Sequence, residues 1–379
     1  NYKIVSLSGT SFAAPQVAGV TALHLQVTPQ STPLQLKTKL LAEAKPVMYD
    51  TASNTDYTQF NTSLLGASTK VLFDKYGRQP VEISGQNLTL QRATPTMMNI
   101  PVGVSLSLGT NLDISKTWSQ GTHNYAMTIK MPTSGSAPYP VAIVLHGNGG
   151  TGPATAAQFV SVLPGHIIVG IQGYGNSWNI SNETSNGPDI QMLNELIDSL
   201  KTYENVDSTK IRIIGISNGG ALALRAAVEI TDTAVDVIVC NISQTNSDQY
   251  RSSQFYYPSN EEQTGDAYTN DGYNTLVSTL PQRKILQLNG RNDTVVPYNG
   301  GVFVGLTFLS AANSAYAFAQ TQGYSGSILT GSTYGTDSVL VDYGDVVFLN
   351  DGVAHNVSSD MEHLITRYLE NNYDITTQP

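Results

Sequence analysis

The chain of 379 residues has one cysteine, Cys240, and few charges. A single thiol excludes an intrachain disulfide and any zinc or iron–sulfur site built from several cysteines. Cys240 ends the apolar run Val237-Ile238-Val239-Cys240 and reads as a buried small hydrophobe. Charged residues make up 13% of the chain, against roughly 25% in an average domain. The 19 Lys and Arg against 29 Asp and Glu leave a net charge of −10. A lightly charged, negative surface is unsuited to phosphate backbones and anionic lipid, so neither nucleic acid nor membrane is an expected partner. No run of about 18 apolar residues could span a bilayer. No signal peptide is visible, and the first residue is Asn1 rather than Met, so a processed chain or a fragment is expected. Against these absences stand 40% apolar residues, enough for a sizeable core. The length suits two or three domains of roughly 100–200 residues each.

Residues Ser8-Gly9-Thr10-Ser11-Phe12-Ala13-Ala14-Pro15-Gln16-Val17-Ala18-Gly19 resemble the nucleophile motif of subtilisin-like proteases. The resemblance implies that Ser11 opens a core helix, and a second short helix is expected over 32–44, with Thr32 as cap and Pro33 in its first turn. A triad of that kind draws its Asp and His from far upstream of the Ser, and none stands before Ser11. The nearest histidine, His24, has no Asp motif around it, so Ser11 reads as part of a remnant covering residues 1–45. Residues 46–95 read as a linker or small β appendage with short β-type runs at 69–73 and 80–84. Residues 96–132 read as leading antiparallel strands, with 125–130 alternating at period two.

From residue 133 onward apolar runs alternate with helical segments. Strands are expected at 139–145, 167–171, 211–216, 235–241, 284–288 and 345–349, and helices at 154–163, 188–203, 219–230, 307–322 and 360–373. Continuous apolar strands alternating with helices predict a mainly parallel sheet covered on both faces.

The strongest motif is Gly215-Ile216-Ser217-Asn218-Gly219-Gly220, a G-x-S-x-G sequence between a strand and a helix. That context is what a nucleophile elbow requires, since flanking glycines remove Cβ atoms that a strained Ser turn would crowd. A hydroxyl nucleophile needs a base, and the base an orienting acid, in the order Ser, Asp, His. Asp293 follows the run Leu288-Asn289-Gly290-Arg291-Asn292 at a strand end, whereas Asp342, Asp345 and Asp351 crowd the histidine in sequence and fit the order less well. After Asp293 only His355 and His363 remain. His355 lies in a loop after the last strand, and His363 falls inside a helix as a surface or packing residue. Ser217, Asp293 and His355 are therefore the expected catalytic set. Oxyanion donors are expected from the backbone of Asn218 and of Asn148, the latter in the loop Leu145-His146-Gly147-Asn148-Gly149-Gly150, with His146 structural and Gly147 and Gly149 facing substrate.

These residues, with Val296-Pro297-Tyr298 and Gly173-Tyr174-Gly175-Asn176-Ser177-Trp178-Asn179, resemble α/β-hydrolases of the polyhydroxybutyrate depolymerase-like and feruloyl esterase-like group, secreted serine esterases. The resemblance covers about 240 residues, and the chain departs from it in lacking cysteine pairs. It implies an α/β-hydrolase domain over 96–379, after the short helical remnant at the N-terminus that the subtilisin-like resemblance implies, and an extracellular monomer. It also implies hydrolysis of a polyester, feruloyl or acetyl ester through an acyl-enzyme, with no metal or organic cofactor. Trp178 then borders the cleft as an aromatic wall for the acyl group or is a packing residue, and both readings stay open. Tyr250, Tyr256, Tyr257, Tyr268 and Tyr273 fall in a variable stretch, 231–283, and are candidates to line a cleft. Seven N-x-[ST] sequons occur, and sugar at Asn292 or Asn356 would obstruct an active site. A subtilisin-like protease fragment and a non-catalytic binding protein on a hydrolase fold are the alternative functions.

Overall fold

A computed structural model describes residues 103–379 apart from Val304, and before them only Gln35, Tyr49–Asp50 and Thr55–Asp56. The chain divides into two units, Asn1–Val102 and Gly103–Pro379. Ser11, His24 and the runs at 69–73 and 80–84 lie outside the described residues; of the helix expected over 32–44, Gln35 alone is described, and it is helical.

The second unit is built on a nine-stranded sheet. A hairpin of β1 (Ile114–Trp118) and β2 (Gly121–Tyr125) precedes it. The sheet strands begin with β3 (Met127–Lys130), β4 (Tyr139–Leu145), β5 (Ile167–Ile171), β6 (Val206–Ile216) and β7 (Val235–Asn241). A small three-stranded sheet follows, made of β8 (Tyr250–Arg251), β9 (Gln254–Tyr257) and β10 (Thr275–Leu276). Next come β11 (Lys284–Gly290), the hairpin β12 (Gly301–Phe303) and β13 (Leu306–Phe308), then β14 (Ser332–Tyr334), β15 (Ser338–Asp342) and β16 (Val346–Asp351). The main sheet runs β14-β15-β16-β11-β7-β6-β4-β5-β3. Its centre, from β5 through β16, is parallel, and antiparallel strands flank it at both edges.

Alternate residues of β4 explain how both faces are covered. Val141, Ile143 and Leu145 face one core with α2 (Asp189–Leu200), α3 (Asn218–Glu229) and α4 (Ala311–Thr321), while Ala142 and Val144 face the other with α1 (Gly152–Phe159) and α5 (Ser359–Glu370). Period-two side chains on a strand buried on both sides give continuous apolar runs, as the sequence has. Local signals set the helix starts. Thr151, Ser310 and Ser358 cap α1, α4 and α5 by accepting from Ala154, Asn313 and Met361 amides.

Two expectations are corrected. The strand read over 125–130 breaks at Ala126: Tyr125 ends β2, and β3 pairs antiparallel with β5. The helix read from Thr307 starts at Ala311, because Thr307 pairs with Val302 in the β12–β13 hairpin and its carbonyl accepts from the Ser247 N–H at 2.8 Å.

Candidate active site

Strand β6 ends at Ile216 and α3 begins at Asn218, so Ser217 alone makes the turn between them. It has φ 54° and ψ −117°, a conformation strained for any residue with a Cβ. The turn closes because Gly215 and Gly219 touch backbone: a Cβ at Gly215 would collide with the Gly219 carbonyl, and one at Gly219 with the Leu145 carbonyl. The Ser217 N–H donates to the carbonyl of Asn241 at the end of β7, 2.9 Å away. The hydroxyl is thereby held at the carboxyl edge of the parallel strands.

Two other strand ends bring partners to it. Asp293 follows β11 and His355 follows β16, and these strands are neighbours in parallel register. Asp293 Oδ2 accepts from His355 Nδ1 at 2.7 Å, and Ser217 Oγ donates to His355 Nε2 at 2.8 Å. The donor sense follows from chemistry. A carboxylate oxygen accepts, so Nδ1–H donates to Asp293 and Nε2 is left to accept from the Ser217 hydroxyl. The Asp293 side chain is 1% exposed, against 22% for His355. The carboxylate is sheltered and the imidazole faces outward. Asp351, a rival in sequence, instead accepts from the Ser358 hydroxyl. His363 meets the Tyr334 hydroxyl at 2.8 Å.

The expected oxyanion loop lies against the elbow. A Cβ at Gly147 would stand 3.5 Å from Ser217 Cβ. Residues 147–150 form a turn closed by the Gly150 N–H on the Gly147 carbonyl at 2.9 Å, with Gly149 at φ +76°, the third-position geometry of a type II turn. The Gly149 N–H donates to the Asn176 carbonyl at 2.7 Å, so Gly149 shapes the turn and does not offer its amide to substrate. Asn148 occupies the exposed second position of the turn. Asn218 is the first residue of α3, where a backbone N–H has no intrahelical acceptor and the helix dipole favours an anion.

Trp178 is fully buried and cannot be an aromatic wall of an open cleft. Its Nε1–H donates to the His146 carbonyl at 2.8 Å, and its ring lies 4.7 Å from the His146 ring. His146 is structural: Nε2 accepts from the Gly173 N–H at 3.0 Å, Nδ1 donates to the Gly147 carbonyl at 2.8 Å, and burial lowers its pKa, which keeps it neutral. Tyr273 is likewise buried, donating to the Ile180 carbonyl at 2.8 Å, and lines no cleft. The Tyr250 ring lies 4.7 Å from the Phe255 ring and tilted to it, and Tyr256 lies 3.6 Å under the Arg251 guanidinium. Cys240 is buried and its thiol bonds the Ser243 carbonyl.

Sequence reasoning missed a buried ionic network behind the elbow. Arg225 on α3 pairs with Glu229 at 2.7 Å and with Glu261 at 3.5 Å. Glu261 also accepts from the Ile190 and Gln191 amides at 2.9 and 3.1 Å, satisfying the orphan N–H groups that open α2. Asp189, beside them, accepts from the Tyr125 hydroxyl and the Asn179 N–H, each at 2.7 Å. The four-residue spacing of Arg225 and Glu229 was the one signal available in sequence. Among the described residues no group of three or more His, Cys, Asp or Glu side chains could hold a metal ion, and no helix is long and apolar enough to cross a membrane.

The geometry is that of an α/β-hydrolase elbow with Asp293 and His355 at neighbouring strand ends. Comparisons with known proteins fall on both parts of the chain. Residues 1–73 match the subtilase peptidase family, so that similarity runs past residue 45 into the stretch read as a linker. A protein named Putative esterase NocK, from Nocardia uniformis subsp. tsuyamanensis, is 28% identical over 102 residues, or 24% of this chain. The match spans 30% of that relative's length. Among solved structures, the chain is similar to the Bacillus cereus carboxylesterase, with a TM-score of 0.43, 13% identity and coverage of 66% of this chain and 95% of that one. It is similar to a phospholipase/carboxylesterase from Dyadobacter fermentans DSM 18053, with a TM-score of 0.43, 14% identity and coverage of 66% and 98%. An acetyl xylan esterase from Aspergillus awamori gives a TM-score of 0.42 and 16% identity, over 61% of this chain and 89% of that one.

Proposed function

We propose that this chain is a serine hydrolase of carboxylic esters. The observation that carries the reading is the continuous hydrogen-bonded line from Asp293 through His355 to Ser217, at 2.7 and 2.8 Å. Ser217 Oγ attacks the ester carbonyl carbon while its proton passes to His355 Nε2. The carbonyl electron pair moves to oxygen, where the Asn218 and Asn148 amides are available as donors. Collapse of this intermediate expels the alcohol, which takes the proton from His355, and leaves an acyl group on Ser217. Water then repeats the sequence, giving its proton to His355 and releasing the acid.

Substrate class is the finer part of the proposal. The low charge of the chain and the exposed Val295, Val302 and Phe303 that follow Asp293 support an uncharged, apolar ester. The motif resemblance supports polyester, feruloyl or acetyl esters and a secreted enzyme. The test is a fluorophosphonate label mapped by mass spectrometry, with p-nitrophenyl ester turnover measured alongside. Label at Ser217 and loss of turnover by on the order of 10⁴-fold in Ser217→Ala are expected. Substantial turnover in Ser217→Ala, or label confined to another serine, overturns the reading.

A further inference from the structure

Asn218 is held by its side chain as well as by the helix it opens. Its Oδ1 accepts from the Trp178 N–H at 2.7 Å, with Ser177 Oγ approaching at 3.4 Å. Its Nδ2 donates to the Trp178 carbonyl at 3.2 Å and to Glu183 Oε1 at 3.4 Å. Glu183 is tied down in turn, since Oε2 accepts from the Ile180 and Ser181 amides at 3.2 and 2.5 Å. Trp178, anchored on His146, completes a block that joins the loop after β5, the end of β4 and the elbow.

A pinned side chain has a consequence for the main chain. Rotation about the Asn218 backbone swings its N–H, and an oxyanion donor acts only when aimed where charge develops. Fixing the carboxamide at both its oxygen and its nitrogen removes that freedom before substrate arrives. Glu183 is the one carboxyl group in the clamp. Burial raises its carboxyl pKa, although the backbone amides of Ser181, Glu183 and Ile180 pull it down.

We propose that Glu183 is a positioning residue for the Asn218 amide, acting through the Asn218 side chain to aim the oxyanion donor. The proposal rests on the esterase reading above. The competing role is purely structural, closing the 180–183 loop on itself.

The two roles separate in a set of variants of the full chain, with kcat expressed per site titrated by a p-nitrophenyl phosphonate. Glu183→Ala is expected to lower kcat about tenfold with KM within about twofold, a part of the 10²–10³ that an entire donor is worth. In an Asn218→Ala background the same change should add less than about twofold, because the side chain it acts through is gone. Glu183→Gln is the sharper variant. Its one carbonyl oxygen is best spent on the two backbone amides, which leaves an NH₂ facing the Asn218 NH₂. The loop stays closed and the melting temperature stays near wild type, while kcat falls as in Glu183→Ala. Recovery of kcat together with melting temperature in Glu183→Gln overturns the proposal, as do losses that multiply in the double variant. If Glu183→Ala does not fold, the Gln variant decides alone. A wild-type chain that takes up no phosphonate at Ser217 overturns the esterase reading and this proposal together. Normal labelling with unchanged kcat in Glu183→Gln overturns this proposal only.

Discussion

Asp293 binds His355 with one carboxylate oxygen and its own loop with the other: Oδ2 takes the imidazole Nδ1–H at 2.7 Å, and Oδ1 takes the Val295 and Val296 amides at 2.8 and 3.0 Å. The two roles make Asp293→Asn a sharp experiment. The two amides demand an acceptor, so the Asn oxygen turns to them and the NH₂ turns to His355. Nδ1 must then accept, the proton moves to Nε2, and Nε2 can no longer take the serine proton. We expect kcat to fall by about 10³–10⁴ with the fold intact by circular dichroism. A loss under about tenfold would mean that Asp293 does not set the tautomer.

The elbow strain is measurable by itself. Ser217→Gly and Ser217→Ala both lose the hydroxyl, so their difference isolates the backbone. At φ 54° and ψ −117° an alanine keeps the Cβ clash and a glycine does not. Strain of about 1–3 kcal/mol exceeds the 0.5–1 kcal/mol of extra chain entropy that glycine loses on folding. The glycine variant should be more stable than the alanine variant by about 1 kcal/mol, or roughly 2 °C in melting temperature. A glycine variant that melts below the alanine variant refutes strain at this turn.

Much of this was legible because the relevant signals are local. Strand β4 is a continuous apolar run because both its faces are covered, and the elbow declares itself through glycines that only close backbone contact explains. Ser217, Asp293 and His355 occupy loops that follow strands, so order along the chain stood in for position. Trp178 was not legible in the same way, because a Trp after a strand looks alike whether its ring turns to solvent or stacks on His146. The start of α4 was misread because Thr307 lies four residues before the helix in sequence but has a strand partner in space. Glu261 lies 36 residues beyond Arg225 in the chain (261 − 225), and nothing local to either announces the pair.

That pair ties the 242–283 segment to the helix layer. Glu261 closes the first turn of α2 and faces Arg225, with each side chain nearly inaccessible. Glu261→Ala leaves two helix amides without acceptors and a buried guanidinium short of one carboxylate. The expected cost is about 3 kcal/mol, read as a lower urea midpoint at unchanged m-value. A shift under about 1 kcal/mol would mean that water or Glu229 replaces the lost carboxylate.

Asp189 gives the network a pH signature. Burial pushes its pKa up to about 7, with Glu261 adding to the rise and Arg225 and the donors Asn179 and Tyr125 opposing it. In the unfolded chain an aspartate titrates near 4. Between about pH 4 and about pH 7 the folded chain keeps a proton that the unfolded chain has released, so stability falls as pH rises. The contribution of neutral Asp189 is complete below about pH 4 and lost as pH rises through about 7. Asp189→Asn carries a permanently neutral group of the same shape and should lack that decline. Urea unfolding of both proteins at intervals from about pH 4 to about pH 8 reads the difference directly. Wild type should lose stability relative to Asp189→Asn across the window and hold a constant offset above it. Parallel profiles would mean that Asp189 is ionised throughout, with Tyr125, Asn179 and Arg225 outweighing its burial.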